Sequence, residues 1–121
     1  MIRTLDIPRG REAPGRARRA IEQLQGQLDD TTLQDLRLLI SELVTNSVRH
    51  GEGEGIRVVL DVRGARHVRC EVVDGGSGFT PRARTKPPTE PGGWGLTMVE
   101  RLSAAWGVRE GSTHVWFELR R

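Results

Sequence analysis

The sequence predicts an α+β fold: a two-layer sandwich whose mixed, largely antiparallel sheet is covered on one face by about three helices. Two observations carry this. Ile56, Val58, Leu60 and Val62 alternate with Arg57, Val59, Asp61 and Arg63, and Val68, Cys70 and Val72 repeat the pattern, which is the period of half-buried strands. Between Glu12 and His50 the apolar spacing changes to that of helices. The resulting order is strand, two helices, two strands, loop, helix, two strands, with no internal repeat.

A chain of 121 residues is one domain, 1–121, with enough material for a real core. A hydrophobic fraction of 36% and a charged fraction of 29% are those of an ordinary globular protein. No apolar run approaches the roughly 20 residues needed to cross a bilayer, and no signal-peptide pattern opens the chain, so no membrane partner is expected. Cys70 is the single cysteine and has no internal disulfide partner, which points to a reducing cytoplasm. The net charge of +3 comes from 19 basic residues, nearly all arginine, five of which (Arg9, Arg11, Arg16, Arg18, Arg19) crowd one early stretch. Such a cluster suits nucleic acid or an acidic protein surface. Aromatic residues for base stacking are few and not interleaved with it, so a solvated helix face is the expectation and direct nucleic-acid binding is disfavoured.

Met1–Ile7 is a short extended segment closed by Pro8. Glu12–Leu28 reads as a first helix with Ala17, Ala20, Ile21, Leu24 and Leu28 inward, and Pro14 sits in the first turn, where a missing N–H costs least. Asp29, Asp30, Thr31 and Thr32 are capping candidates for a central helix running from about Thr32 to His50, with Asp35 adding negative charge near its start and Gly51 as its stop. Its inner stripe is Leu36, Ile40, Leu43, Val44 and Ser47. Glu42, Asn46 and His50, four residues apart, form a separate polar stripe. After the glycine-rich turn 52–55 come the two alternating strands, joined by a hairpin loop at Gly64-Ala65-Arg66. Cys70 reads as a small core residue.

Continuing the parity of the second of these strands places Asp74 on the buried row. A carboxylate there is costly unless something bonds to it. An Asx turn over the following glycines is the plain structural explanation. The stretch from Thr80 to Gly92 holds four of the six prolines and the basic residues Arg82, Arg84 and Lys86, and about 79–93 reads as a lid. Gly92-Gly93-Trp94-Gly95 then opens a last helix with Leu96, Val99, Leu102 and Trp106 inward and Gly107 as its stop. Strands Val108-Arg109 and Thr113–Arg120 finish the chain, with Val115, Phe117 and Leu119 on one side. His50 sits where a helix offers free carbonyls. His67 and His114 fall on outward rows as solvated residues, and no spacing suggests zinc. Trp116 is also outward, either a contact for a partner or second protomer or packed against the first helix.

Three short motifs are weak singly and specific in this order: Glu42-x-x-x-Asn46, Asp74-x-Gly76-x-Gly78, and Gly93-x-Gly95-Leu96 opening a helix. Together they resemble the N, G1 and G2 boxes of the GHKL (Bergerat-fold) ATP-binding superfamily, and the resemblance covers essentially the whole chain. The wording Glu42-Leu43-Val44-Thr45-Asn46, with Gly92-Gly93-Trp94-Gly95-Leu96 and the closing Thr113-His114-Val115-Trp116-Phe117, looks most like the bacterial anti-sigma-factor serine/threonine kinases. No helical hairpin with a phosphorylatable histidine fits in the chain, so it is not a complete histidine kinase, and nothing resembles a topoisomerase transducer domain.

The residue chemistry agrees with the cofactors implied, ATP and Mg2+. A carboxylate at Asp74 is an acceptor only, suited to the exocyclic amine of adenine and repelled by the keto oxygen of guanine, with Thr113 a candidate for the same base edge. Gly76 and Gly78 let the backbone approach base and sugar. Gly93, Trp94, Gly95 and Leu96 form a helix start, where amides and the dipole favour phosphate. Magnesium keeps several waters, so the Asn46 carbonyl and phosphate oxygens suffice as its ligands. Glu42 is the candidate general base, and Arg82, Arg84 and Lys86 are lid candidates for neutralising phosphate charge.

By resemblance the attacked phosphate goes to a serine or threonine of a partner. The leading expectation is therefore an ATP-binding anti-sigma-factor-type regulator with serine/threonine protein kinase activity toward a protein antagonist. The implied partners are a sigma factor and that antagonist, and the implied state is a homodimer. A non-catalytic ATP-gated protein-binding module is the alternative. A nucleic-acid-binding regulator using the N-terminal arginines is a third and weaker one.

Overall fold

The alternation between Gly55 and Val73 is satisfied by a hairpin. Strands β2 (Gly55–Gly64) and β3 (His67–Val73) pair antiparallel with Leu60 opposite Cys70. The computed structural model describes residues 1–50, 53, 55–74, 94–108 and 114–121. Around the hairpin, β1 (Ile2–Pro8) adds to β2 with Ile7 opposite Ile56, and β5 (Val115–Arg120) adds to β3 with Phe117 opposite Cys70. A short β4 (Ala105–Val108) pairs with β5 and completes a five-stranded sheet of order β1-β2-β3-β5-β4. All four pairings are antiparallel, so the parallel component of a mixed sheet is absent among the described residues.

Helices α1 (Ala13–Glu22), α2 (Asp30–His50) and α3 (Trp94–Leu102) make the second layer. The core lies between the layers. Ile56, Val58 and Leu60, then Val68, Cys70 and Val72, then Val115, Phe117 and Leu119 are the buried rows of three strands. Opposite them stand Ala17 and Ile21 of α1, Leu36, Ile40 and Val44 of α2, and Val99 of α3. Full burial of each large side chain contributes about 1.5–3 kcal/mol, which is what holds two such layers together. Burial pushes the Cys70 thiol far above its ordinary value, as expected of an inert core residue. No helix among the described residues is long and apolar enough to cross a membrane.

The first helix is shorter than its periodicity predicts. After Glu22 the backbone tightens into i→i−3 bonds (Leu24 N–H to Ile21 carbonyl, 2.9 Å), and Gly26, at φ +93°, turns the chain. Leu24 and Leu28 are still buried, but from turns. Asp29 accepts the Thr32 N–H at 2.8 Å, one of the capping candidates doing that work for α2.

At the other end of the chain the predicted helix overran. Helix α3 stops at Leu102, which is 36% exposed rather than inward. The Ala104 N–H already bonds the Glu118 carbonyl at 2.8 Å, so Trp106 and Gly107 are strand residues opposite Phe117 and Trp116. Gly107 is therefore no helix stop. A Cβ there would lie 2.7 Å from Trp116 Nε1, and the glycine is the floor on which the indole rests.

The outward face of the sheet is charged and self-paired. Arg57 meets Asp6 at 2.9 Å, Arg63 meets Asp61 at 2.9 Å, and Arg69 meets Glu71 at 3.0 Å. Trp116 is on this face, as its parity predicts, yet half-buried, with the Arg69 guanidinium 4.5 Å from its ring centroid. The two strand-side histidines are paired rather than merely solvated: His67 contacts Glu118, and His114 Nε2 lies 3.4 Å from Glu71. The His67 ring beside Glu118 holds that carboxyl below the ordinary carboxylate range.

Candidate functional site

Two polar groups sit on otherwise apolar inner rows, Ser47 on α2 and Asp74 just beyond β3, and they meet. The Ser47 hydroxyl donates to Asp74 Oδ2. The Asp74 side chain is only 3% exposed, so the parity argument for an inward carboxylate holds, and its cost is met by this bond and by a cation. The cation is Arg9, whose Nη2 stands 3.8 Å from the same Oδ2. Arg9 also donates from Nη1 to the Ser47 carbonyl at 2.6 Å and from Nε to the Gly53 carbonyl at 2.7 Å. The Ser47 carbonyl belongs to the last turn of α2, where carbonyls have no intrahelical N–H donor and the dipole favours a positive group.

Asn46 and Glu42 occupy α2 immediately before Ser47 and one turn earlier, both half-buried. His50 is the last residue of α2. Trp94, Gly95 and Leu96 form the first turn of α3, a helix that packs beside α2. The predicted site residues Gly76, Gly78, Gly93 and Thr113, and the lid candidates Arg82, Arg84 and Lys86 with the segment 79–93, lie outside the described residues. A depression of about 440 Å³ opens beside the site at the ends of the first three strands, between Pro8, Gly55, Arg57, Val73 and Asp74. It shares only Asp74 with the predicted set. Among the described residues no three His, Cys, Asp or Glu side chains cluster as a metal site.

Sequence reasoning missed two members of this arrangement. Ser47 was visible as the one polar residue on the inner stripe of the central helix, and two polar groups on facing inner rows are natural partners. Arg9 was counted only as one of a surface cluster, and it is the member that turns inward. Arg11, Arg16, Arg18 and Arg19 are exposed, in keeping with a solvated face.

A family model described as the histidine kinase-like ATPase domain matches residues 9–119. The chain belongs to the histidine kinase-like ATPase domain family. Membership implies ATP binding, and it places the Asn46 helix, the Asp74 strand end and the start of α3 inside the matched region. Among solved structures, the chain is similar to the RsbU and RsbW domains of Rv1364c from Mycobacterium tuberculosis, with a TM-score of 0.70 and 24% sequence identity. That match covers 100% of this chain and 32% of the other, so the likeness is one of fold over about a third of a larger protein. No curated protein matches the chain in sequence. This histidine kinase-like ATPase domain thus has the α+β architecture expected of it, with a deeply buried acid, Asp74, at the end of a central strand.

Proposed function

We propose that this chain is an ATP-binding regulator of the anti-sigma-factor type that phosphorylates a serine or threonine of a protein antagonist. The observation that carries the reading is Asp74: a carboxylate withdrawn from solvent at a strand end and bonded to Ser47, the residue that follows Asn46 on α2. The family match over residues 9–119 supports ATP as the ligand, and the fold shared with the RsbU and RsbW domains of Rv1364c supports the regulatory class.

In this reading Asp74 accepts the adenine amine, with Thr113 beside it, while Gly76 and Gly78 permit close approach of the base and sugar. The stretch Gly93, Trp94, Gly95 and Leu96, whose last three residues open α3, receives the phosphates. A neutral amide oxygen on a half-buried helix face fits magnesium, which needs few protein ligands, so Asn46 would hold it. The ion supplies charge neutralisation across the phosphates when bound. Glu42, one turn from Asn46, would take the proton of the partner's hydroxyl as that oxygen bonds to the γ-phosphorus, the bond from that phosphorus to the bridging oxygen breaks and ADP leaves. Arg82, Arg84 or Lys86 neutralises charge on the transferred group. The domain acts as one unit, 1–121, in the cytoplasm, where the free and buried Cys70 stays reduced. A sigma factor and its antagonist are the partners, bound by a homodimer.

Incubation with labelled ATP, magnesium and a candidate antagonist tests the proposal, with a pull-down in the presence and absence of nucleotide to find that antagonist. Transfer of label to a partner hydroxyl is expected. Transfer to no hydroxyl partner would remove the kinase claim. Glu42→Gln then separates the kinase from an ATP-gated binding module. A kinase keeps ATP affinity and loses phosphotransfer by roughly 100- to 10,000-fold, whereas a module binds its partner as before.

A further inference from the structure

Elsewhere on the surface arginines meet acids: Arg57 meets Asp6, Arg66 lies 3.1 Å from Asp29, and Arg37 lies 3.2 Å from Glu22. On α1 they do not. Arg18 and Arg19 are exposed, and neither has a carboxylate at ion-pair distance among the described residues. Glu22 stands one turn beyond Arg18 on the same helix, where an i, i+4 pair could form, but Arg37 of α2 holds it.

The two guanidiniums gather instead. A Cβ at Gly15 would lie 3.5 Å from Arg19 Nη1 and 3.8 Å from Arg18 Nη2, so both heads lean over the same bare stretch of helix. Like charges placed together gain from an anion between them, and a planar guanidinium matches a carboxylate with two parallel bonds. The pair is also tied to α2, because Arg18 Nη1 donates to the Ser41 hydroxyl at 2.8 Å. Ser41 immediately precedes Glu42, and the Thr45 hydroxyl donates back to the Ser41 carbonyl at 2.7 Å. The positive pair is thus anchored on the residue next to the candidate base.

We propose that Arg18 and Arg19 form a docking clamp for the phosphoacceptor protein, gripping an acidic stretch that flanks its target serine or threonine. This rests on the kinase reading above, in which a partner brings a hydroxyl to Glu42 and so passes Arg18. The chemistry asked of the partner is one or more carboxylates beside the acceptor. A nucleic-acid strand would meet the same charge, but Trp106 and Trp116 belong to β4 and β5, in the other layer, and offer its bases no stacking surface beside the clamp.

The test uses the full chain without nucleotide and two short synthetic peptides with a central serine, one flanked by glutamates and one by glutamines. A single-stranded oligonucleotide is run alongside. Calorimetry at low and high salt reads binding, circular dichroism reads folding, and magnesium-ATP affinity is measured separately. The glutamate peptide should bind better than the glutamine peptide at low salt and lose that advantage at high salt. Arg18→Gln with Arg19→Gln should weaken it by about 5- to 30-fold, the range for two exposed charge pairs, with ATP affinity kept. Arg101→Gln with Arg120→Gln removes the same charge from exposed sites elsewhere and should leave it within about twofold.

Two peptides bound alike, or an equal loss in the two double variants, overturns the clamp. So does an oligonucleotide that outcompetes the glutamate peptide, which would assign the patch to nucleic acid. Should the double variant fail to fold, Arg19→Gln, which leaves the bond to Ser41 in place, decides, and no weakening there overturns the proposal equally. Failure of the unsubstituted chain to bind ATP or to label any hydroxyl partner is a distinct result. It removes the kinase reading, and the assignment of the clamp to a phosphoacceptor with it.

Discussion

Replacing Asp74 by Asn keeps the size of the side chain and exchanges one acceptor oxygen for a donor NH2. Ser47 and Arg9 both face the change. The Ser47 hydroxyl adapts, because it can accept as well as donate. Arg9 does not, since a guanidinium has no acceptor, so the amide must turn its remaining oxygen toward Nη2 or leave that nitrogen facing a donor. At 3.8 Å the gross attraction lost is about 4 kcal/mol for an effective dielectric constant of about 20. The desolvation of a carboxylate that is 3% exposed offsets much of it. Arg9 also keeps its bonds to the Ser47 and Gly53 carbonyls, so the net loss of stability should be about 1–3 kcal/mol. With the oxygen committed to Arg9, the NH2 faces the adenine amine, donor against donor. Affinity for ATP should then fall by about 1.5–3 kcal/mol, or roughly 10- to 150-fold in Kd. Calorimetry with magnesium-ATP reads the second number, and thermal unfolding without nucleotide reads the first. A protein that melts earlier but binds ATP within about twofold of the original would make Asp74 a structural acid and refute the base assignment.

Other predictions follow from the fold. Gly107→Ala puts a Cβ 2.7 Å from Trp116 Nε1 and 3.0 Å from Cε2, so the indole must leave its place under Arg69. A destabilisation of about 1–3 kcal/mol with altered tryptophan fluorescence is expected, and an unchanged melting temperature and spectrum would contradict the packing. Glu118 titrates below its ordinary value of 4.5 because of the His67 hydrogen bond. Its contribution to stability is therefore fully present above that pH and lost as the pH falls through its lower folded value. The melting temperature should drop on going from pH 5 to pH 3, and drop less in Glu118→Gln; equal slopes would argue against the pair. Asp29, held low by Thr32 at the start of α2, acts in the same direction, and Asp29→Ala should fray that helix start, as read by amide exchange of Thr32 and Leu33.

The strands and the central helix were legible because each is a local pattern with one buried face. Ile56–Leu60, Val68–Val72 and Val115–Leu119 obey period two and are buried as that period requires. The same parity carried Asp74 inward without any knowledge of what it would meet. The boundary between α3 and β4 was not legible. Leu102 and Trp106 continue a helical spacing, and it is the edge of β5, with Phe117 and Trp116 waiting opposite, that draws residues 105–108 into a strand. Trp116 was assigned to the correct face but not to its cover, since Gly107 and Arg69 reach it only through strand pairing.

By itself, then, the order of residues determined the two layers, the inward acid and the family motifs, all properties of short stretches with a fixed period or spacing. Which arginine of five enters the site was decided only in three dimensions. Arg9 binds residues 38 and 44 positions away, and nothing in its neighbourhood along the chain distinguishes it from Arg11. A periodic pattern reports which face of an element is buried, whereas a long charged side chain finds its partners only after distant elements have been brought together.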